Sequence, residues 1–149
     1  MNRIEAIESI YTKHEDALFV LSNGLTSRES AFKLNKPNTF YLLHAMGEAF
    51  SVGLGLANSR PDTEVVVIDG DGNALMGLAS LSMMNVSNLN YYILANGVYQ
   101  TTGSQELPPL SNLPSWAQVV EISKEFIDSP NPPAPDEIWE RFQRDTSII

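Results

Sequence analysis

Two short polar motifs stand where side chains of this sequence could perform chemistry. Gly70-Asp71-Gly72 follows the apolar run Val65–Ile68 after a single residue, Asp69, and Asn96-Gly97 follows a second apolar run. Glycines let backbone amides approach a phosphate, but a carboxylate beside a phosphate repels it unless a cation lies between them. Magnesium readily takes one carboxylate, an amide or backbone oxygen, and phosphate oxygens. The first motif therefore predicts that Asp71 holds a divalent cation, which in turn binds a phosphate group.

A strand–helix–strand pattern places the two motifs at one edge of a sheet. Glu64 to Asp69 contains consecutive valines and an isoleucine, which is typical of a strand buried on both faces of a parallel sheet. A helix is predicted over Asn73 to Val86 and another strand over Tyr91 to Ala95. Ligands of parallel sheets bind outside the carboxyl ends of the strands. We therefore expect the two motifs to face each other.

The remaining segments extend this pattern into a single α/β domain with a mainly parallel sheet, over residues 1–149. Further helices are predicted over 1–16, 47–58, 116–127 and 136–144, and further strands over 17–21 and 39–43. A polar segment over 96–114 is long enough to be a functional loop, and a Pro-rich bridge lies near 129–135. No strand is predicted after Ile127, so the completeness of the sheet stays open on that side.

The composition limits the partners and the compartment. The chain carries 9 basic and 18 acidic side chains, a formal charge of −9, which argues against binding to nucleic acid or anionic lipid. It has no cysteine, so disulfides, thiolate catalysis and cysteine-type zinc sites are excluded. The N-terminal segment has the charge pattern of an amphipathic helix and not of a signal peptide, and the apolar run Ala17–Leu21 is too short to span a bilayer. We expect a cytoplasmic protein.

Several other residues have ordinary structural interpretations. His14, on a charged helix end, is expected at the solvated surface, and Asp69 is expected only to end its strand in a turn. The methionines at helical spacing after the first motif are expected in the core: Met76, Met83 and Met84. The aromatic residues of the last helix could belong to the core or to a contact with another chain: Trp139 and Phe142.

The segment GDGN (70–73), followed by ANG (95–97), resembles the motif of thiamine-diphosphate enzymes, a Gly-Asp-Gly triplet, a spacer and an Asn at the end of the next strand. Four segments follow the order found in the diphosphate-binding half of phosphonopyruvate and sulfopyruvate decarboxylases: NGLTSRES (23–30), FYLLHAMGEAFSVGLGLA (40–57), VVVIDGDGNALMGLASLSMM (65–84) and LANGVYQTTGSQ (94–105). The resemblance implies a three-layer α/β/α thiamine-diphosphate-binding fold, with thiamine diphosphate and Mg²⁺ as cofactors.

The resemblance also implies which residues hold the metal and the diphosphate. The metal ligands would be the Asp71 carboxylate, the Asn96 side chain and the backbone carbonyl of Val98. The backbone amides that would hold the diphosphate are those near Gly72, Asn73 and Ala74. The whole cofactor-binding set is His44, Met46, Gly47, Gly70, Asp71, Gly72, Asn73, Ala74, Asn96, Val98 and Tyr99.

A second group of residues would lie around the rings of the cofactor. Met46 would be an apolar wedge beneath it, and the carbonyl of His44 would accept a hydrogen bond from the pyrimidine amino group. Tyr99, Thr101 and Gln105 would lie on a covering loop. The residues implied as catalytic are Met46, Tyr99 and Thr101. Two alternatives stay open, since Met46 could be a core methionine and His44 a buried structural histidine.

The chain departs from the family pattern in two places near the motifs. Ala95 stands where the family has the first Asn of a pair, which deletes one polar neighbour of the metal ligand. His44-Ala45 stands where relatives commonly have Gly-Ser, so a larger ring is expected close to the pyrimidine. The C-terminal part is also shorter than in most relatives.

The resemblance implies a decarboxylase that converts a small anionic 2-oxoacid, similar to phosphonopyruvate or sulfopyruvate, to an aldehyde and CO₂. In this family the glutamate that activates the cofactor lies on a different domain, for which 149 residues leave no room. A separate pyrimidine-binding (alpha) subunit is therefore expected to supply it in a hetero-oligomer. No Arg, Lys or His occurs from Pro61 to Ser123, so the cation for the substrate is expected from that partner or from Arg28, Lys33 or Lys36.

Two other functions stay open at the level of the sequence. The chain could be half of a thiamine-dependent carboligase or oxidoreductase, because the cofactor motif does not determine the fate of the carbanion. It could also be a non-catalytic nucleotide-binding module in which GDGNAL is a dinucleotide loop. Leu75 stands where that loop requires a third glycine or an alanine, which makes the fit poor.

Overall fold

The computed structural model describes residues 1–147 and contains a five-stranded, all-parallel sheet. The helices are α1 (Arg3–Lys13), α2 (Leu25–Lys33), α3 (Ala49–Ser59), α4 (Asp71–Met76) and α5 (Pro135–Thr146). The strands are β1 (Leu18–Leu21), β2 (Thr39–Tyr41), β3 (Val65–Gly70), β4 (Leu89–Ala95), β5 (Val98–Tyr99), β6 (Gln105–Glu106) and β7 (Ala117–Glu121). The sheet order is β2-β1-β3-β4-β7, and β5 and β6 form a separate antiparallel pair within the predicted loop.

Helices cover both faces of the sheet, which gives the three-layer α/β/α architecture. Along β3, Val66 and Ile68 pack into a core with α1, whereas Val65 and Val67 pack into a core with α3. All four side chains are fully buried, as expected for a central strand of a parallel sheet. The predicted fold class is confirmed.

The glycine-rich helix α3 packs closely against the sheet. A Cβ atom on Gly53 would lie 2.1 Å from Cγ2 of Val67, so only glycine allows this distance between helix and strand. Glycine costs a helix stability relative to alanine, and the close packing explains why the helix carries it. The helix predicted over 47–58 is therefore confirmed, with slightly different ends.

The helix predicted over 73–86 is wrong in its second half. α4 ends at Met76, and the chain continues as a 3₁₀ turn over Leu78–Met83. The reason is a backbone contact, because a Cβ atom on Gly77 would lie 2.4 Å from the carbonyl oxygen of Gly47. The two backbones touch at this point.

The break in the helix changes where its methionines lie. Met76 is 54% exposed and Met83 is 67% exposed, so the predicted core position is wrong for both. Met84 packs against the core. Met83 lies in the 3₁₀ segment, which does not keep the helical spacing on which the prediction depends, and Met76 is the last residue of α4.

The helix predicted over 116–127 is also wrong, and a strand takes its place. β7 pairs with β4 from Tyr91↔Ala117 to Ala95↔Glu121 and is the last strand of the sheet. β-branched Val119 and Val120 favour a strand, but Val119 and Glu121 are exposed on this edge strand and polar residues interrupt its apolar pattern. The sheet is therefore completed before Ile127.

Helix α2 was not predicted. It lacks an apolar stripe, because its buried positions include polar residues: Thr26, Ser27, Glu29 and Ser30. It begins after Gly24, whose φ of +84° suits glycine, and no side chain caps it. Hydrophobic periodicity gives no signal for a helix of this kind.

Helix α5 closes the β2 edge of the sheet. Ile138 packs into the core on the α1 face and Phe142 into the core on the α3 face, so Phe142 is a core residue. Trp139 remains 46% exposed, with its ring packed edge-on against Phe40. No helix among residues 1–147 is long and apolar enough to span a membrane.

A polar network lies at the amino end of the sheet. His14 is 8% exposed, so its predicted position at the solvated surface is wrong. Its Nδ1 lies 2.9 Å from Glu64 Oε1 and its Nε2 lies 2.9 Å from the hydroxyl of Tyr92. Lys13 Nζ donates to the same hydroxyl at 2.9 Å. We call these four residues the amino-end network.

Candidate functional site

A cleft opens at the carboxyl end of the sheet, where β1, β3 and β4 lead into their following segments. The predicted site residues that line it are Met46, Gly70, Asp71, Gly72, Asn73, Asn96, Val98, Tyr99 and Thr101. Those that lie outside its lining are His44, Gly47, Ala74 and Gln105. The parallel sheet thus brings the two motifs to one place, as the crossover pattern predicts.

The Asp71 carboxylate joins the start of α4 to the end of β4. It is 5% exposed, and its Oδ1 accepts a hydrogen bond from Gly72 N at 2.9 Å. Its Oδ2 accepts from Asn96 N at 2.9 Å and from Gly97 N at 2.7 Å. A carboxylate has about four acceptor positions, so these three amides leave one for a further donor or a cation.

The side chain of Asn96 is held at both ends. Its Nδ2 donates to Gln100 Oε1 at 2.9 Å, and its Oδ1 accepts from Val98 N at 3.0 Å. An amide oxygen has two lone pairs, so Oδ1 keeps one acceptor position. Two oxygen-bearing side chains with free acceptor positions therefore meet at the cleft.

Close packing fixes the Tyr99 ring against the first turn of α4. A Cβ atom on Gly72 would lie 2.6 Å from Cε1 of Tyr99, so a larger residue at position 72 would displace the ring. Gly97, which lies in the short connection between β4 and β5, has a φ of +76°. The second glycine of the first motif thus makes room for the Tyr99 ring.

The segment before α3 brings an apolar side chain to the rim of the cleft. Met46 is 46% exposed, so the alternative of a core methionine is wrong. Gly47 N donates to Asn73 Oδ1 at 3.2 Å, which ties this segment to α4. His44 is exposed with a φ of +53°, so the alternative of a buried structural histidine is also wrong.

A second aspartate near the cleft has a different environment. Asp69 is 1% exposed; its Oδ2 accepts from the hydroxyl of Tyr91 at 2.9 Å and its Oδ1 from Gly70 N at 2.9 Å. Burial raises the pKa of the Asp69 carboxyl to about 7; hydrogen bonds from Tyr91, Ser22 and Gly70 oppose the shift, and the Asp71 charge adds to it. Asp69 is therefore more than a turn residue, because it links β3 to β4 inside the core.

Sequence reasoning missed several residues of the cleft. These are Arg3, Asn23, Gly24, Leu25, Thr26, Leu94 and Gln100. Among the described residues that line the cleft, Arg3 is the one basic residue. Asn23 Oδ1 is buried and has no hydrogen-bond partner among the described residues. Asn23 lies in the segment NGLTSRES, and neither its residue type nor its spacing indicates a role. Arg3 carried no signal, because it reaches the cleft only through tertiary packing of α1.

The cations predicted for an anionic substrate lie elsewhere. None of them lines the cleft in the described chain: Arg28, Lys33 and Lys36. Arg28 Nε donates to the backbone oxygen of Ser129 at 2.7 Å, which makes it a link between α2 and the Pro-rich bridge. On this chain, the positive charge at the cleft comes from Arg3. Burial lowers the pKa of its guanidinium, and the nearby charges of Glu29 and Asp71 oppose that shift.

No three acidic or histidine side chains gather as a metal cluster in residues 1–147. A cation at the cleft would therefore depend on one carboxylate, that of Asp71, together with amide and carbonyl oxygens. Magnesium accepts this set, since it is often held by one or two carboxylates plus phosphate oxygens. The unpartnered Asn23 Oδ1 adds an acceptor for a ligand or a bound water.

Comparison with known proteins finds similar chains, among them two decarboxylases. The chain is 45% identical over 108 residues to sulfopyruvate decarboxylase subunit beta of Methanothermobacter thermautotrophicus, covering 70% of this chain and 58% of that protein. It is 42% identical over 120 residues to phosphonopyruvate decarboxylase of Streptomyces hygroscopicus, covering 77% of this chain and 30% of that protein. The chain thus spans little more than half the length of the first relative.

A solved structure has a similar fold. It is 2-oxoglutarate:ferredoxin oxidoreductase from Magnetococcus marinus, with a TM-score of 0.56, 26% identity, and coverage of 70% of this chain and 38% of that one. The family model of the C-terminal TPP-binding domain of thiamine pyrophosphate enzymes matches residues 23–140, a range that includes both motifs. The resemblance implied by the GDGN and ANG segments is confirmed. This chain belongs to the thiamine pyrophosphate enzymes and contains their C-terminal TPP-binding domain.

Proposed function

We propose that this chain is the diphosphate- and magnesium-binding subunit of a thiamine-diphosphate-dependent decarboxylase for a 2-oxoacid similar to phosphonopyruvate or sulfopyruvate. One observation carries the proposal. The Asp71 carboxylate keeps a free acceptor position beside Asn96, at the carboxyl end of the sheet, in a chain whose relatives include decarboxylases of both substrates.

The donor chemistry of the cleft supports a role in holding the metal and the diphosphate. The Asp71 carboxylate, the Asn96 amide oxygen and the Val98 carbonyl would bind Mg²⁺, which neutralises a diphosphate. Backbone amides at Asn73 and Ala74 would hold the phosphate oxygens. The amide of Gly72 is engaged with Asp71 Oδ1 here, which keeps the carboxylate turned toward β4.

Thiamine diphosphate, when bound, supplies the electron sink for loss of CO₂ from a 2-oxoacid. The chain's own residues would position and shield it. Met46 presents a half-exposed apolar side chain at the rim, suited to lie beneath the rings. Tyr99, fixed against Gly72, and Thr101 would cover the cleft from the β5 side and exclude water.

A separate pyrimidine-binding subunit would supply the glutamate that activates the cofactor. The sulfopyruvate decarboxylase relative is a beta subunit, which supports such a partner. Exposed apolar side chains that adjoin Gly47 and Gly77 in the chain support it as well: Met46, Met76 and Leu78. Exposed apolar patches of this kind often mark protein–protein contacts.

Calorimetric titration with thiamine diphosphate tests the binding part of the proposal. We expect binding in the presence of Mg²⁺ and its loss when the metal is chelated, because the diphosphate has no lysine or arginine other than Arg3 in the cleft to neutralise it. Binding that is equal with and without the metal would contradict the proposal.

An activity assay tests the subunit. The isolated chain should not turn over phosphonopyruvate or sulfopyruvate, and it should do so after addition of a pyrimidine-binding chain encoded beside it. The substrate that is turned over faster would show which β-substituent the enzyme prefers, phosphonate or sulfonate. Turnover by the isolated chain would show that no partner is needed.

An oxidoreductase half-subunit is the second candidate, favoured by the fold similarity to the 2-oxoglutarate:ferredoxin oxidoreductase. The same assay distinguishes the two, because an oxidoreductase needs an electron acceptor whereas a decarboxylase releases the aldehyde without one. Product formation that depends on an added acceptor would favour the oxidoreductase.

A further inference from the structure

Arg3 is a buried cation at the edge of the cleft with two fixed partners. It is 4% exposed; its Nη1 donates to Glu29 Oε1 at 2.8 Å and its Nη2 donates to Gln100 Oε1 at 2.8 Å. Glu29 Oε1 also accepts from Ile127 N at 3.1 Å. A buried guanidinium with a carboxylate partner is tolerated, whereas either charge left alone would be costly. Glu29 therefore compensates the charge, and the contact with Gln100 stays as a directional hydrogen bond.

The contact with Arg3 determines the orientation of the Gln100 amide. Arginine has donors and no acceptor, so the end of Gln100 that faces Nη2 has to be the oxygen. The opposite end, Nε2, then points to the backbone oxygen of Lys124, an acceptor, with which it forms a hydrogen bond. Both ends of the amide thus agree on a single orientation.

The orientation passes from Gln100 to Asn96. Gln100 Oε1 also lies 2.9 Å from the Asn96 side chain, and an oxygen that already accepts from Arg3 requires a donor there, Asn96 Nδ2. Asn96 Oδ1 is therefore at the other end, where it accepts from Val98 N at 3.0 Å. Because arginine can only donate, Arg3 determines the orientation of the Gln100 amide, and Gln100 in turn determines that of the Asn96 amide, the proposed metal ligand.

We propose that Arg3 and Gln100 are positioning residues, which keep the oxygen of the Asn96 amide, and not its nitrogen, available to the cation held with Asp71. The inference depends on the proposed function, since it concerns the same cation. A reversed Asn96 amide would direct an NH₂ group at the metal, and partners of this kind behind a metal ligand commonly change metal affinity about 10- to 100-fold.

Substitutions at Gln100 separate positioning from a purely structural role. Both Gln100→Leu and Gln100→Glu lose the donor to the backbone oxygen of Lys124. Gln100→Leu also removes the acceptor for Arg3 and Asn96, whereas Gln100→Glu keeps an oxygen for both. Removing Arg3 is less suitable, because Glu29 would be left buried without its cation. Gln143→Leu, the same substitution on α5 and away from the cleft, is the matched control.

The measurements use the full chain, with Mn²⁺ as a spectroscopic probe for the magnesium site. Binding of Mn²⁺ in the presence of thiamine diphosphate is followed by electron paramagnetic resonance. We expect the dissociation constant to rise about 10- to 100-fold in Gln100→Leu, and to stay at the wild-type value or below in Gln100→Glu and at the wild-type value in Gln143→Leu. The pair of ¹H–¹⁵N cross-peaks of the Asn96 side-chain NH₂ group, recorded without metal, should lose its hydrogen-bonded shift in Gln100→Leu alone.

The outcomes that overturn the inference differ from those that overturn the proposed function. Wild-type affinity in a folded Gln100→Leu, or an equal loss in Gln100→Glu, would exclude a positioning role and leave the metal site intact. Absence of Mn²⁺ binding to the wild-type chain with thiamine diphosphate would overturn the proposed function and the inference together.

Discussion

The two ends of the parallel sheet each hold a polar network, and the networks differ in what they leave available. In the amino-end network, both ring nitrogens of His14 have partners, and the Tyr92 hydroxyl contacts His14 and Lys13. At the carboxyl end, Asp71 and Asn96 keep free acceptor positions. Judged by residue type alone, a His–Glu–Tyr–Lys group looks more like an active site. Free acceptor positions at a cleft identify a binding site better than the number of polar groups does.

The largest effect that would test this difference is expected at Asp71. Asp71→Ala removes the one carboxylate among the residues that line the cleft, so metal-dependent binding of thiamine diphosphate should weaken by more than about 100-fold, the upper end of what outer partners of a metal ligand contribute. Calorimetric titration measures it. Asp62→Ala, at an exposed turn, is the matched control and should bind normally. Undiminished binding by Asp71→Ala would contradict the site.

The amino-end network should affect folding and not binding. His14→Phe keeps a buried ring and removes hydrogen bonds to Glu64 and Tyr92, which should lower the free energy of unfolding by about 1–3 kcal/mol. Urea denaturation measures the loss, and titration with thiamine diphosphate and Mg²⁺ should be unchanged. If the folded variant lost cofactor binding, the contrast between the two ends would be wrong.

Asp69 lies close to the carboxyl end of the sheet but is buried in the core. Like the amino-end network, it should therefore affect the stability of the fold and not cofactor binding. Its pKa is raised from 3.8 to about 7, so the folded state holds a proton that the unfolded state releases. The resulting stabilisation is complete below about pH 4 and is lost as the pH rises toward 7. Asp69→Asn, which cannot ionise, should flatten this part of the stability profile. Urea denaturation between pH 4 and 8 measures it, and an unchanged slope would show that Asp69 does not titrate there.

The smallest effect is expected outside both ends, on α3. A Cβ atom on Gly55 would meet no atom within 4 Å, so Gly55→Ala should raise the free energy of unfolding by about 0.5–1 kcal/mol. Gly53→Ala, two residues away, should lower it, because its Cβ would overlap Val67. Thermal denaturation compares the two variants. A gain from both would show that the helix can move away from the sheet.

Local sequence pattern was enough to predict where the site lies. The valine-rich strand before Asp71 and the strand before Asn96 are central and parallel, so the two motifs had to meet at the carboxyl edge. The edge strand β7 gives no clear strand signal, because Gln118 and Glu121 interrupt its apolar residues. A continuous apolar run, the clearest sequence signal of a strand in a parallel sheet, exists only where both faces are buried.

The residues that support the site from a distance could not be predicted from the sequence. Arg3 is 68 residues before Asp71 in the numbering and reaches the cleft because α1 packs over the sheet. The charged neighbours of His14 predict a position at the surface. Its ring nevertheless contacts Glu64, the residue before β3, and Tyr92 of β4. Tertiary packing decides both positions, and a helical stripe of apolar residues does not show which charged neighbour turns inward.

The contact between Gly47 and Gly77 has a consequence for which ligands could fit. It joins the segment of Met46 to the end of α4, and the hydrogen bond from Gly47 to Asn73 joins the same segment near the start of that helix. The proposed support for the rings and the proposed anchor for the phosphates are therefore joined at two points, which limits how far apart they can move. We expect thiamine monophosphate, shorter by one phosphate, to bind more weakly than thiamine diphosphate, because it would not contact both.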